Sequence, residues 1–175
     1  MEETQHSKEE ILGCIEKIQF GTVSTFDGKR IRSRCMHFAS DNNFTLYLST
    51  MKGDPKTFQI AKNYNFSFFA HTNDENFMDL REIEITGRGY IVSTNEERIN
   101  AIKLLALKSP VVKSLLDSNN TDMLDVIKVI PSILKYRIFN EIIRGVKPTV
   151  MQFDDTQLIE DEYNWSKYGL EFIPK

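Results

Sequence analysis

The chain has 175 residues, of which 41% are hydrophobic and 27% are charged, a composition typical of one soluble globular domain. Its net charge of −3 argues against a broad nucleic-acid-binding face, and no stretch approaches the roughly 20 apolar residues that cross a bilayer. Residues 1–10 lack the apolar segment of a secretory signal, and Cys14 and Cys35 show neither a CxxC motif nor a zinc-binding spacing. We therefore expect a cytoplasmic protein with no metal site and no nucleic-acid or membrane partner.

The first third of the chain predicts a helix followed by a three-stranded meander. Ser7 and Glu10 form a capping-box pattern, and apolar residues at helical spacing then predict an amphipathic helix from about Lys8 to Ile18. From Phe20 onward the chain is rich in Val, Ile, Thr and Phe, which is typical of strands. Turn signals at 27–28 and 41–43 divide this stretch into three strands, of which the second and third are Ile31–Ala39 and Phe44–Ser49.

The middle of the chain predicts one short helix and two strands. Asp suits the N-cap and Pro the first position of a helix, so Asp54-Pro55 opens a helix that ends near Asn63. Phe66–His71 and Ile83–Val92 read as strands, and Gly87-x-Gly89 indicates a bulge or bend in the second.

The last part of the barrel region predicts two helices and two closing strands. Thr94 and Glu97 form another capping box, before a helix with Ile99, Ile102 and Leu105 on one face, and Ser109-Pro110 begins a further helical segment. Two closing strands, Val126–Ile130 and Leu134–Phe139, are then predicted on either side of Pro131.

These elements define the fold class. The strands come in runs without intervening helices, which disfavours a parallel doubly wound sheet and favours an α+β, mostly antiparallel small barrel. We assign residues 1–153 to this domain. Residues 154–175 form an acidic C-terminal extension, with five acids within Asp154–Glu162 and the single tryptophan, Trp165.

Three arginines on the second strand carry the first functional signal. Arg30, Arg32 and Arg34 share one strand face, where successive like charges repel unless they are solvated or neutralised by an anion. In an acidic protein this pattern indicates a phosphate or carboxylate ligand, with Arg34 favoured because it lies deepest in the strand. The alternative is a solvated strand end whose arginines pair with an Asp or Glu of a neighbouring segment.

A second basic cluster surrounds the start of the Asp54-Pro55 helix and consists of Thr50, Lys52, Lys56 and Thr57. Helix N-termini present unpaired N–H groups and a partial positive charge, so a phosphate can bind there. The alternative is that the carboxylate of Asp54 already caps these donors.

One long run resembles a known family. The segment GTVSTFDGKRIRSRCMHFASDNNFTLYLSTMKGDPKTFQIAKNYNFSFF, continued by REIEITGRGYIV and VIKVIPSILKYRIF, resembles the core of the pyridoxamine 5′-phosphate oxidase-like FMN-binding family over roughly Ile11 to Phe139. The resemblance implies a split β-barrel of Greek-key type with peripheral helices, working as a homodimer with FMN at the subunit interface.

The resemblance also assigns residues. It implies that Arg34, Thr50 and Lys56 hold the FMN phosphate and that Cys35, Met36 and His37 lie along the isoalloxazine ring. Together with the basic clusters, it gives as cofactor-binding residues Arg32, Arg34, Cys35, Met36, His37, Thr50, Met51, Lys52, Lys56, Thr57 and Glu82.

Several positions depart from the family pattern. Ala39 and Pro55 stand where pyridoxamine phosphate oxidases carry basic residues, and Glu82 stands where they carry a glutamine that meets the ring. The Arg-x-His sequence with which those oxidases grip their substrate has no equivalent. Lys52 is our candidate to replace one of the missing charges.

The resulting functional expectation is an FMN-dependent oxidoreductase that acts on an unidentified small molecule and is not a genuine pyridoxamine 5′-phosphate oxidase. No residue stands out as an obligatory acid or base, so no catalytic residue is assigned. Two alternatives stay open: a non-catalytic flavin carrier or redox sensor, and the same barrel with a deazaflavin or haem as its ligand.

Overall fold

Six strands close into an antiparallel barrel with helices around it. The computed structural model describes residues 5–153, so the extension predicted at 154–175 lies outside the described residues. In chain order the elements are α1 Lys8–Lys17, β1 Phe20–Phe26, β2 Ile31–Ser40, β3 Leu46–Met51, α2 Pro55–Lys62, β4 Asn65–His71, β5 Arg81–Ile91, α3 Asn95–Ala106, α4 Pro110–Asp117, β6 Leu124–Ile138, α5 Phe139–Ile143 and β7 Thr149–Gln152, with single 3₁₀ turns at Phe77–Asp79 and Thr121–Met123.

The strand order is β3-β2-β1-β4-β5-β6-β7, and β3 also pairs with β6, which closes the first six strands into a barrel. The strand pairs are all antiparallel. The α+β class and the antiparallel barrel with peripheral helices are thus confirmed. No helix within residues 5–153 combines the length and the apolar content that crossing a bilayer requires.

Local sequence chemistry accounts for the element boundaries. The Ser7 hydroxyl accepts the Glu10 N–H at 3.1 Å, as expected for the cap of α1. The β1–β2 turn places Gly28 at φ +95°, where glycine is favoured, and the Asp27 carboxylate accepts two backbone N–H groups of the turn.

The barrel core is formed by alternate residues of the strands. Phe38 and Phe68 are fully buried and pack edge to face with ring centroids 4.7 Å apart. Gly21 has to be glycine for this packing, because a Cβ there would lie 2.2 Å from the Phe68 ring. A second cluster, which includes Ile102, Leu105, Val112 and Val126, lies between the barrel and the helices α3 and α4.

The prediction of two closing strands around Pro131 is wrong, because β6 is one strand that bulges there. Pro131 lies opposite Gly87, whereas Thr86 lies opposite Ile133, so Ser132 is an extra residue on β6. The bulge accommodates a residue without an N–H. Gly87 permits the close approach, since a Cβ there would lie 2.2 Å from a carbonyl oxygen of β6.

The start of α3 also differs from the expectation. Thr94 is the N-cap, but its side chain makes no capping hydrogen bond, and Glu97 instead pairs with Lys128 of β6 at 2.5 Å. Within α3, Ile102 and Leu105 are buried while Ile99 is 46% exposed. The short elements α5 and β7 were not predicted from the sequence.

Lys108, in the α3–α4 connection, ties that segment to the end of α1. Its Nζ donates to the carbonyl oxygens of Ile15 and Ile18, both at 2.9 Å, and lies 4.7 Å from the centroid of the Phe38 ring. The last carbonyls of a helix lack the usual intrahelical donors, and this ammonium bonds two carbonyls at the end of α1, of which the Ile15 oxygen also accepts the Ile18 N–H at 3.2 Å. Burial lowers the pKa of Lys108.

We expect Lys108→Met to lower the free energy of unfolding by about 1–3 kcal/mol, because the carbonyls of Ile15 and Ile18 each lose the hydrogen bond from the ammonium. Urea denaturation followed by circular dichroism measures the change. Lys103→Met, at an exposed position of α3, is the matched control and should stay within about 0.5 kcal/mol of the parent. Equal stability of the two variants would contradict this role for Lys108.

His6 connects the N-terminus to the end of the barrel. Its Nδ1 lies 2.9 Å from Glu10 and its Nε2 lies 3.0 Å from Glu141 of α5, and its ring packs edge to face on Tyr136. Burial works to lower the pKa of His6, but the hydrogen bonds of Glu141 and Glu10 outweigh it and leave the pKa raised above 6.5. With a carboxylate at each ring nitrogen, the charged imidazolium is favoured.

This raised pKa gives a pH dependence of known sign. The stabilisation by His6 is fully present below its ordinary pKa of 6.5 and is lost as the pH rises through the higher folded-state pKa. We therefore expect the stability difference between the parent and His6→Gln to be larger at pH 5.5 than at pH 8.5, as measured by thermal unfolding. A difference that is constant across this range would disprove the assignment.

Candidate functional site

The site begins where β2 leaves β3. Pairing of β2 with β1 runs from Ile31 to His37, whereas pairing with β3 covers only Phe38–Ser40. Beyond Leu48, β3 continues along β6 alone. No described strand therefore pairs with the β3-side edge of residues 31–37, and its backbone N–H and C=O groups are available to a ligand.

Arg34 lies beside this split and is held by two neutral acceptors. Its Nη1 donates to the Thr25 hydroxyl of β1, and its Nη2 donates to the Gln59 side-chain oxygen of α2, both at 2.8 Å. The Thr25 hydroxyl also donates to Gln59 at 2.8 Å. Burial lowers the pKa of Arg34, an effect that the nearby charge of Asp54 opposes. The guanidinium is thus fixed in place without a carboxylate hydrogen-bonded to it.

Lys56 enters the same region from the first turn of α2. Its Nζ donates to the buried Thr50 hydroxyl at 2.7 Å and lies 2.5 Å from a carboxylate oxygen of Asp54. The other oxygen of Asp54 accepts the Lys56 N–H at 3.0 Å. The Thr57 hydroxyl donates to the Asp54 carbonyl at 2.7 Å. Asp54 therefore caps α2 with its own carboxylate, as the second interpretation of this basic cluster predicts.

We call Arg34, Thr50, Asp54, Lys56 and Gln59 the polar cradle. It combines two cations with one carboxylate, and hence carries a formal charge of +1. Burial tends to raise the pKa of Asp54, but hydrogen bonds from the Lys56 N–H and ammonium and the positive charge of Lys56 outweigh it and lower the pKa. Such a set of charges and hydroxyl groups suits a small anion.

Three predicted residues lie at the margin of the polar cradle. Arg32 forms an ion pair with Asp27 at 2.7 Å, so this strand arginine is matched by an acid of the neighbouring turn. Hydrogen bonds from Arg30, Arg32 and Lys29 lower the pKa of Asp27 to about 2. Met51, the last residue of β3, and Lys52, which follows it, are exposed, and the Lys52 N–H donates to the Met123 carbonyl at 2.8 Å.

Alternation along β2 divides the remaining predicted residues between two faces. Met36 packs against the barrel core, whereas Cys35 lines a cavity of about 1090 Å³ on the outer face. The His37 ring lies 4.0 Å from the Phe20 ring, and its buried Nδ1 has no hydrogen-bond partner among the described residues. A buried polar atom without a hydrogen bond is uncommon in folded proteins.

The structure does not bring Glu82 to the polar cradle within one chain. Glu82 lies on β5, and the strands β1 and β4 separate β5 from β2. Its carboxylate lies 3.5 Å from the Nε of Arg137 on β6, on the outer face of the sheet.

Sequence reasoning missed two residues of the site. Thr25 is 3% exposed and Gln59 is half-buried, and both accept hydrogen bonds from Arg34. The available signal was the alternation of β1, in which Thr25 falls on the same inward face as Val23. A polar residue at an inward strand position indicates a buried hydrogen bond.

The closed six-stranded barrel, with its split between β2 and β3 and a helix beside the split, defines a pyridoxamine 5′-phosphate oxidase-like split β-barrel. No protein-family description matches the sequence, and no curated protein matches it. Solved structures do match, at the level of the fold.

Three of these structures show which kinds of protein share the fold. A candidate pyridoxamine 5′-phosphate oxidase from Listeria innocua matches with a TM-score of 0.60 and 22% identity, over 76% of this chain and 98% of that one. The conserved hypothetical protein Rv2991 from Mycobacterium tuberculosis matches with a TM-score of 0.67 and 14% identity, over 89% and 99%. A heme binding protein from Mycobacterium smegmatis matches with a TM-score of 0.65 and 10% identity, over 85% and 59%. The resemblance inferred from the sequence is thus confirmed as a shared fold.

We expect Gln59→Met to lower the free energy of unfolding by about 1–3 kcal/mol, because the Arg34 guanidinium and the Thr25 hydroxyl both lose an acceptor. Chemical denaturation measures this change in the free energy of unfolding. Lys62→Met, at an exposed position of the same helix, is the matched control. If both variants are as stable as the parent, Gln59 does not hold Arg34 in solution.

Proposed function

We propose that the protein is a flavoprotein that binds FMN noncovalently, with the terminal phosphate in the polar cradle. The observation that carries this proposal lies beside the unpaired edge of β2. There Lys56 of α2 donates to Thr50, while Arg34 donates to Gln59 of the same helix and interacts through its charge with the Asp54 N-cap. Guanidinium, ammonium and hydroxyl groups are the side-chain donors that phosphate prefers, and a helix N-terminus adds a partial positive charge.

The residues present fit such a cofactor in two further respects. An isoalloxazine ring has carbonyl and N–H groups along one edge, and the backbone of Cys35, Met36 and His37 offers complementary groups on the unpaired side of β2. The unpaired Nδ1 of His37 offers one more hydrogen bond. Arg32, Met51, Lys52 and Thr57 border the same region.

We further propose that the protein is an oxidoreductase for a small molecule. Bound FMN supplies the hydride or electron transfer, while the chain binds and orients it and excludes water. The cavity of about 1090 Å³ beside Cys35 is large enough for a small organic substrate. The sequence lacks the substrate-gripping Arg-x-His of pyridoxamine phosphate oxidases, so the substrate we propose is a different small molecule.

We propose a cytoplasmic homodimer with the flavin at the subunit interface. Glu82, which the resemblance places at the ring, lies two strands away from β2 within its own chain, so a second copy would have to supply it. The outer face of the sheet suits self-association, because Phe20 is 49% and Phe69 36% exposed there. On the same face, acidic side chains of β5 lie next to basic side chains of β6.

Haem is the second candidate ligand. Two observations favour it: the structural match to a haem-binding protein and the unpaired Nδ1 of His37, since a histidine nitrogen can ligate haem iron.

A deazaflavin would use the same cradle, and a flavin carrier or redox sensor would bind FMN without turnover. The absorption spectrum of purified protein separates flavin, deazaflavin and haem, and turnover with reduced nicotinamide and artificial acceptors separates an enzyme from a carrier.

We expect Arg34→Ala and Lys56→Ala each to weaken FMN binding by about 10- to 100-fold, because each removes a charged hydrogen-bond donor to the phosphate. Fluorescence titration measures the affinity for FMN and, in parallel, for riboflavin, which lacks the phosphate and should be unaffected. Arg30→Ala, on the exposed end of the same strand region, is the control.

Two outcomes would count against the proposal. If the protein binds neither FMN nor riboflavin, the flavin assignment is wrong. If both affinities fall equally in the Arg34 and Lys56 variants, the polar cradle does not hold the phosphate.

A further inference from the structure

Asp54 stands out because it occupies the groups of Lys56 that an incoming anion would use. One carboxylate oxygen accepts the Lys56 backbone N–H at 3.0 Å, and the other lies 2.5 Å from the Lys56 ammonium. The protein's own carboxylate thus binds the helix N-terminus and its lysine, as an external phosphate would.

Several contacts keep Asp54 in this position. Its backbone is extended, with φ −61° and ψ 138°, as suits an N-cap residue, and Pro55, the first residue of α2, disfavours any helical conformation of Asp54. The Thr57 hydroxyl donates to the Asp54 carbonyl at 2.7 Å. The pKa of Asp54 is lowered, so the carboxylate is charged at neutral pH.

The charged surroundings of Asp54 come from four elements. Lys56 on α2 forms an ion pair with Asp54, and Arg34 on β2 interacts with Asp54 through its charge. Arg32, two residues before Arg34 on β2, is paired with Asp27 of the β1–β2 turn. From β6, the Asp125 carboxylate accepts the N–H of Gly53, the residue before Asp54, at 3.2 Å. Asp125 therefore adds further negative charge next to the cradle.

We propose that Asp54 is a specificity-determining residue that makes the polar cradle select a singly charged phosphoryl group over a phosphate dianion. This inference rests on the proposed function, because it assumes that the cradle holds the ligand's phosphate. Arg34 and Lys56 offer two positive charges, and Asp54 cancels one of them. The Asp54 carboxylate repels a dianion twice as strongly as a monoanion, and a dianion also loses more hydration when it leaves water, so a net charge of +1 in the cradle favours the monoanion.

The charge state of FMN provides the test. A phosphate monoester loses its second proton with a pKa of about 6, so FMN is mostly a monoanion at pH 5.5 and mostly a dianion at pH 7.5. We expect the parent protein to bind FMN about 3- to 10-fold more tightly at pH 5.5, whereas its affinity for riboflavin stays unchanged over the same range.

Asp54→Asn is the decisive variant. Asparagine caps a helix as well as aspartate does, so the fold of α2 is kept while the charge is removed. At pH 7.5 we expect this variant to bind FMN about 10- to 100-fold more tightly than the parent, with riboflavin affinity unchanged and the preference for pH 5.5 lost. Asp54→Ser, which also caps, should behave in the same way. Asp117→Asn, at a remote exposed position of α4, controls for the change in net charge.

The outcomes separate this inference from the function on which it rests. If FMN binds more tightly than riboflavin but Asp54→Asn changes nothing, Asp54 does not select charge and the phosphate assignment stands. If FMN and riboflavin bind equally in both proteins, the cradle does not hold a phosphate and both proposals fail.

Discussion

The change of partner by β3 is the constraint on which the rest of the structure depends. Over Leu46–Leu48 this strand pairs with both β2 and β6, and after that with β6 alone. The second pairing closes the barrel and buries its core. Beyond Leu48, β3 follows β6 and leaves β2, so the edge of β2 that faced β3 is unpaired from Ile31 to His37. Closure and the candidate site are therefore two results of the same pairing.

The polar cradle is organised before any ligand arrives. A guanidinium moved out of water needs acceptors, and Thr25 and Gln59 supply two neutral ones to Arg34. Since neither acceptor carries a charge, the positive charge of Arg34 stays available to an anion. Lys56 differs in this respect, because Asp54 neutralises it directly. The two cations thus differ: the charge of Arg34 is not neutralised by its hydrogen-bond partners, whereas the charge of Lys56 is neutralised by the Asp54 carboxylate.

Local rules predicted most of the fold from the sequence, and they failed where distant residues decide. The Ser7 cap, the Asp54-Pro55 helix start and the turn at Gly28 depend on neighbouring residues, and all three are present. Thr94 follows the same rule but makes no side-chain cap, and the Glu97 side chain pairs with Lys128, 31 residues further along, a partner that no local pattern connects with it. The continuity of β6 through its proline likewise depends on a glycine of β5 that no local pattern connects with it. For the site, alternation along β2 groups Arg34 with the buried Phe38, whereas Gln59 becomes its partner only through the packing of α2 against β1.

The two faces of β2 explain how one strand can serve both anchoring and chemistry. Side chains that alternate along a strand point in opposite directions, so Arg34 faces the cradle while Cys35 and His37 face the outer side, where Cys35 lines the cavity. A ligand anchored by its anionic group on one face and lying along the unpaired edge would reach the other face at its reactive end. The anion requirement is then fixed by charged side chains, whereas the edge offers backbone groups that any planar ring with matching donors and acceptors can use. Solved structures that share this fold include both a candidate pyridoxamine 5′-phosphate oxidase and a heme binding protein, so the fold alone does not determine the ligand. In this chain the proposal of a phosphate-bearing cofactor therefore rests on the charges of the cradle and not on the barrel.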